Sequence, residues 1–369
     1  MLSMTTLMSN VAIVTTLPRL QNYFNSVENI EFYSRLIVTL PSFTIAIFAP
    51  FIGLIISKIG KKKSALFALT LFALTGSAGL YLDKIEYFLI SRALFGIAVA
   101  TLMIVTTSLV GDYFDEEQRH KFMGYQSAFM AIGGVFFVFG GGFLSDISWR
   151  LPFGIYLIGF LLLPMALFFL YEVPKSVETN ENKNINYFPK KLFFIYFLAF
   201  FYMLIFFVLP TQMPFLLIDH FGASGKMAGS IIALAFLSNA VGAITFTKLK
   251  KRFTFPAIYI LGLTIVAFGF TGVGLVNDIH LFYITASILG FGGGVMMTNM
   301  VSWMLSFTTY ELRVKASGYM TGSLFLGQFF SPIAFHPLLA FVGVQNFFEI
   351  VGSLLFIIIG LTLFIKRFF

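Results

Sequence analysis

A handful of side chains carry ionic or hydrogen-bonding chemistry into stretches that are otherwise apolar: Asn10, Arg92, Tyr202, Gln212, Asn239, Asn299 and Gln328. A polar group in hydrocarbon is costly unless it faces a watery path, a ligand or another polar group, so each is a candidate for lining a substrate cavity. Arg92 is the sharpest case, since a guanidinium does not shed its charge. It lies about five residues from the end of its apolar run, close enough for the long side chain to snorkel outward. For a lone Asn or Gln, a hydrogen bond between helices is as ordinary a use as substrate contact. Counting along the runs puts Asn10, Tyr202, Asn239 and Gln328 near the centres. Asn299 falls nearer one end, and Gln212 and His336 nearer the other.

Proton coupling needs a titratable group reached in turn from both sides, commonly a buried carboxylate. No Asp or Glu occupies the centre of any run. Glu349 and His336 are the nearest candidates for proton coupling, with a solvated helix end as the plainer use of each. Cysteine is absent, which removes disulfides, thiolate metal sites and thiol nucleophiles. No H-E-x-x-H and no phosphate-binding Gly-rich loop occurs, so neither a metal site nor a nucleotide-driven pump is expected. An enzyme is not expected either, and no cofactor beyond a coupling proton or other ion.

The elements that must position these groups follow from composition. Hydrophobic residues make up 58% of the 369, charged ones 11%, and mean hydropathy is +0.91. A soluble domain carries roughly a quarter charged residues. The chain therefore reads as an all-α membrane protein. Apolar runs long enough to span a bilayer fall at 1–20, 33–57, 64–82, 87–110, 122–145, 152–172, 192–218, 228–248, 255–276, 281–305, 317–341 and 346–365. That predicts 12 transmembrane helices. The apolar start has neither a basic region nor a small-residue cleavage site and is read as a span, not a signal peptide. Its first helix is expected to continue past Pro18 or to begin upstream.

One set of turns holds most of the lysine and arginine, from Lys58, Lys61, Lys62 and Lys63 through Lys248, Lys250, Lys251 and Arg252 to Lys366 and Arg367. The opposite turns hold Arg19, Arg35, Lys84, Arg150 and Lys226. This bias puts the first set and both termini in the cytoplasm. The net charge of +8 is thereby assigned to topology, and nucleic acid is not an expected partner. The polar stretch 174–191 divides the chain into 1–173 and 192–369, six spans each. The halves repeat each other: Leu17-Pro18 matches Leu209-Pro210, Gly53 with Lys61-Lys62-Lys63 matches Gly242 with Lys250-Lys251-Arg252, and Arg119-x4-Gly124 matches Arg313-x4-Gly318. A parallel repeat of this kind places the substrate path between the halves.

The turn from Gly53 to Lys63 resembles the signature G-x-L-x-D-R-x-G-R-K of the major facilitator superfamily. Gly53, Ile55, Lys58, Gly60, Lys61 and Lys62 stand in its places, with Ser57 where the family has aspartate. Arg92 to Gly96 resembles the family's R-x-x-x-G element. Gly111 to Arg119 resembles its acidic-then-arginine loop, and Trp149-Arg150 with Phe153 its W-R-x-x-F. The resemblance implies two pseudo-symmetric six-helix bundles working by alternating access in the inner (plasma) membrane. It also implies cytoplasmic gate loops built from Gly53, Ser57, Lys58, Gly60, Lys61, Lys62, Asp112, Arg119, Gly242, Lys250, Lys251 and Arg313. Ser57 removes one charge from that lock, and Phe246 departs at the second gate. Gly96, Gly133, Gly141 and Gly142 suit close helix packing.

Leu209 to Leu217 is similar to bacterial multidrug-efflux members, although Phe137-Val138 replaces the Gly-Pro that drug/proton antiporters carry before their glycine pair. The expected function is export of small amphipathic or aromatic compounds, with proton antiport as one route. Alternatives are an uptake permease in which Arg92 meets an anionic metabolite, and a non-transporting sensor on a degenerate transporter. The expected partners are a small-molecule substrate and the lipid bilayer, and the chain is expected to work as a monomer.

Overall fold

The computed structural model describes residues 11–114, 133–172, 189–308 and 310–368. Twelve helices carry the described chain: α1 (Leu17–Tyr23), α2 (Ile30–Ile59), α3 (Lys61–Gly76), α4 (Ile85–Tyr113), α5 (Gly133–Ile147), α6 (Ile158–Phe169), α7 (Lys191–Phe206, resumed at Val208–Phe215), α8 (Gly225–Lys250), α9 (Phe255–Leu275), α10 (Phe282–Ser306), α11 (Tyr310–Val342) and α12 (Val344–Phe368). Ten helical stretches are long and apolar enough to cross a membrane by themselves; α1 and α5 are the two whose expected spans reach outside the described residues. Lipid offers no partner to a backbone N–H or C=O, so runs of this composition have helix as their stable form.

Proline and glycine set the local departures. Pro18 sits in the first turn of α1, where its missing N–H costs nothing, so it starts that helix rather than ending it. Pro210 cannot donate back to Phe206, and α7 changes pitch at Phe207 before ending in a π-turn at Leu216–His220. Gly60 carries φ +101°, where a Cβ would be strained, and lets α2 turn directly into α3. The helices α2 and α11 overrun the expected spans 33–57 and 317–341, because a helix continues into water past the apolar residues that define a span.

Each half packs in the same pattern. In the first, α2 meets α4, α3 meets α4 and α3 meets α6; in the second, α8 meets α10, α9 meets α10 and α9 meets α12. The repeat seen in sequence is therefore a repeat of contacts. Large apolar side chains such as Phe168, Phe169, Ile244 and Phe341 stand exposed around the circumference, as a lipid-facing surface requires. The α2–α3 turn marks the side called inner below, following the charge bias; the α1–α2 turn marks the outer side.

Candidate functional site: the seam between the halves

The seam is built by α1, α2 and α5 on one side and α7, α8 and α11 on the other. At its outer end the Asp146 carboxylate of α5 accepts from the backbone N–H groups of Gly225 (2.6 Å) and Lys226 (2.8 Å). These are the first residues of α8, whose own cap, Ser224, reaches only the N–H of Met227. Arg19 donates to the same carboxylate at 2.7 Å. Glycine makes the approach: a Cβ on Gly142 would lie 2.3 Å from the Gly225 carbonyl, and one on Gly229 3.1 Å from Gly142 Cα.

Deeper in, Arg35 of α2 is buried. Its Nε donates to Gln212 Oε1 of α7 at 3.0 Å, and the guanidinium lies 4.7 Å from the Phe215 ring centre. One Nη donates to the Glu31 carbonyl at 2.7 Å. Arg35 was counted among the outer-turn charges in the sequence. The structure corrects this, because one helical turn inside α2 it faces the opposite half rather than water. A cleft of about 350 Å³ opens beside it, between Gln21, Glu31, Phe215, Asp219 and His220. Near mid-membrane, Ser42 Oγ donates to Gln328 Oε1 at 2.7 Å, and Phe43 stacks on Phe329 at 4.4 Å. The His336 ring lies 5.8 Å from Phe32 across the same seam.

The sequence candidates separate under this geometry. Gln212 and Gln328 join the halves. Tyr202 is buried within the second half, where its ring stacks on Phe206, and Asn239 of α8 is half-buried. Gly294 of α10 brings its helix against the Asn239 carbonyl. Asn299 is withdrawn as a cavity residue: fully buried, its Nδ2 donates to the Phe255 carbonyl at 3.1 Å and ties α10 to the start of α9. Asn10 lies outside the described residues.

Arg92 is also withdrawn from the cavity. Its Nη2 donates to the carbonyls of Thr75 (2.5 Å) and Gly76 (2.7 Å) at the end of α3. The rings of Phe88, Phe95, Phe153 and Tyr156 enclose the guanidinium with centroids 4.7–5.6 Å away. Exposure is 0%, so neither snorkelling nor substrate contact describes it. Of the two proton-coupling candidates, His336 stands at the seam. Glu349 instead packs at the α9–α12 contact, where Gly274 would place a Cβ 2.4 Å from its backbone nitrogen. That contact lies within the second half, between α9 and α12.

On the inner side, Lys61 pairs with Asp112, and the backbone N–H of Lys62 donates to Glu172 Oε1 at 2.7 Å. Glu172 thereby caps the first turn of α3, a role that its position at the end of an apolar run did not announce. The Tyr113 hydroxyl donates to the Tyr171 carbonyl at 2.7 Å and accepts from the Tyr171 N–H at 3.0 Å, and burial pushes its pKa up. Ser57 Oγ turns back to the Leu54 carbonyl at 2.7 Å, and Lys58 is exposed. In the second half Lys250 lies 4.2 Å from the Phe255 ring centre, Lys251 is exposed and Phe246 is buried. A Cβ on Gly242 would lie 2.1 Å from the Phe291 carbonyl. Arg119 lies outside the described residues, as does the side chain of Arg313.

Among the packing glycines, a Cβ on Gly96 would lie 1.8 Å from Thr44 Oγ1, and one on Gly141 2.0 Å from the Ala12 carbonyl. Gly133 is buried where the described part of α5 begins. A Cβ on Gly53 of α2, or on Gly318 or Gly322 of α11, would meet nothing within 4 Å. These positions continue the helix faces that touch at Phe32/His336 and Ser42/Gln328, and towards the inner side no neighbouring atom stands against them. Among the described residues no group of His, Asp and Glu could hold a metal ion.

The sequence matches the family model described as Major Facilitator Superfamily over residues 1–332 and 192–368. Multidrug resistance protein 1 of Bacillus subtilis is 29% identical over 302 residues, covering 78% of this chain and 75% of that protein. Multidrug resistance protein 2 of the same organism is 26% identical, with 55% and 54% covered. The quinolone resistance protein NorA of Staphylococcus aureus is 28% identical, with 37% and 36% covered. By fold the chain is similar to a bacterial homologue of the human lysosomal transporter Spinster in an inward-facing, occupied conformation (TM-score 0.79, 15% identity, 100% and 95% covered). It is also similar to a D-xylose–proton symporter (TM-score 0.72, 15% identity, 96% and 95% covered).

Proposed function

This chain belongs to the major facilitator superfamily, and from that premise we propose that it exports small amphipathic or aromatic compounds by alternating access. The observation that carries the reading is the seam itself. It is joined from Asp146–Gly225 down to Ser42–Gln328, while towards the inner side Gly53 and Gly318 meet no neighbouring atom, the arrangement expected of a two-bundle carrier open to the inside. The halves 1–173 and 192–369 rock about it, with 174–191 as the cytoplasmic connection, in the plasma membrane with both termini inside.

In this reading the substrate meets a mostly apolar seam, with Phe43 and Phe329 beside Gln328, which suits compounds that make few fixed hydrogen-bond demands. Relatives named for multidrug and quinolone resistance support the same class. The permease alternative loses the residue it leaned on, since Arg92 is enclosed. Proton antiport is retained as the driving reaction, with His336 as the titratable candidate placed at the seam.

The test is expression in a bacterium stripped of its own exporters, with tolerance measured across cationic dyes and aromatic antibiotics. Raised tolerance to at least one compound, lost on dissipating the proton gradient, is the expected result. An unchanged panel, together with no energy-dependent dye extrusion from proteoliposomes, overturns it.

A further inference from the structure

We propose that Asp146 is the outer latch of the transport cycle, a positioning residue that holds the outer side shut by capping a helix of the opposite half. The inference rests on the alternating-access reading above and goes beyond it by naming the group that the outer opening must release. A helix begins with N–H groups that have no partner within it, and with partial positive charge from its aligned peptides. In α8 the first two of these, at Gly225 and Lys226, find both oxygens of Asp146. No other described side chain takes them, because Ser224 serves Met227.

The cap crosses the seam, so it differs in kind from the other outer charge cluster. Arg150 binds Asp83 and the carbonyls of Gly79 and Leu82, all within the first half. That cluster travels with its bundle. The Asp146 cap cannot, since the carboxylate rides on one half and the donors on the other. Its release leaves both halves folded: the two N–H groups turn to water, and the carboxylate keeps Arg19, which lies on its own half. The glycine contact of Gly142 with Gly225 and Gly229 brings the surfaces close enough for the cap to form.

The test uses the full chain in lipid nanodiscs. It has no native cysteine, so spin labels at Ser26→Cys in the α1–α2 turn and His280→Cys in the α9–α10 turn report one distance across the outer side. In the otherwise wild-type protein the short distance is expected to dominate. Asp146→Ala should raise the ratio of long to short distance by about tenfold, Asp146→Asn by less, and Asp146→Glu, which keeps the carboxylate, should restore the short distance. Asp83→Asn should leave the distribution unchanged.

Gly142→Leu serves as a wedge that opens the outer side whatever Asp146 does. If the wedge opens it and Asp146→Ala does not, the latch is overturned while alternating access stands. If Asp83→Asn opens it as far as Asp146→Ala, the effect is general outer charge and the latch is likewise overturned. If neither the wedge nor any latch variant changes the distance, alternating access itself fails, and the latch with it.

Discussion

Two buried arginines, Arg35 and Arg92, show how little burial alone says about function. Both lie inside membrane helices, both are nearly free of solvent, and both face aromatic rings. Arg92 spends its charge on the carbonyls that end α3, within a cage built from residues of its own half. Arg35 spends part of its charge on Gln212, a residue of the other half. A buried charge whose partners share its rigid body acts as a structural tie. When the partners belong to a body that must move away, the same charge becomes part of the switch.

The largest expected effect tests the first half of that contrast. Replacing Arg92 with Ala strands two helix-end carbonyls and empties the aromatic cage, and should cost about 3 kcal/mol of stability. Thermal unfolding followed by size-exclusion chromatography should show it, with transport lost in proportion to folded protein. Arg92→Lys, which reaches a carbonyl but lacks the planar fork, should fall between the two. Full stability with transport abolished would break the comparison, since Arg92 would then be a moving part.

Arg35→Ala should act the other way round. Turnover in proteoliposomes is expected to change by about tenfold, while stability shifts by less than about 1 kcal/mol, because the bond removed exists in one state of the cycle only. Gln212→Ala should do the same, and the double variant should resemble either single one, since both remove one shared hydrogen bond. Independent, additive effects would mean that each residue acts through a different partner.

The contrast also explains what the sequence disclosed. Span number, the two-fold repeat and the glycine turn at Gly60 were legible because each depends on chain-local properties: apolar length, repeated spacing and a backbone that only glycine adopts easily. Facing direction was not legible. Arg92 and Asn299 read as cavity candidates because they are polar groups within apolar runs, yet they turn into their own halves, towards carbonyls of Thr75 and Phe255 on neighbouring helices. Arg35 reads as an outer-turn charge, and nothing local points from Asp146 to the start of α8, because the partners Gln212 and Gly225 are distant in sequence. Only packing brings such groups together.

A smaller effect is expected at Gly60, where backbone strain and crowding can be separated. Alanine there must adopt φ +101° and place its Cβ 2.7 Å from the Glu172 carboxylate. Together these should cost about 2 kcal/mol. Adding Glu172→Ala should return the crowding part and forfeit the cap on Lys62, leaving the double variant still below wild type by about 1–2 kcal/mol. Full recovery in the double variant would show that the left-handed turn carries no strain.

The smallest effect belongs to the Lys61–Asp112 pair, which joins α3 to α4 on the inner side within one half, like the Arg92 cage, but in contact with water. Screening and side-chain entropy limit such a pair to about 0.5 kcal/mol. Asp112→Asn should therefore hardly move the unfolding temperature, and raising salt should erase what difference there is. Its transport rate should stay within about twofold of wild type, because breaking the pair weakens a contact that does not part during the cycle. A loss of turnover tenfold or greater at unchanged stability would show that Lys61 or Asp112 engages the opposite half once the inner side closes. The rule drawn from the two arginines would then need partners from both states of the proposed cycle, since the contacts of one state alone would have misassigned this pair.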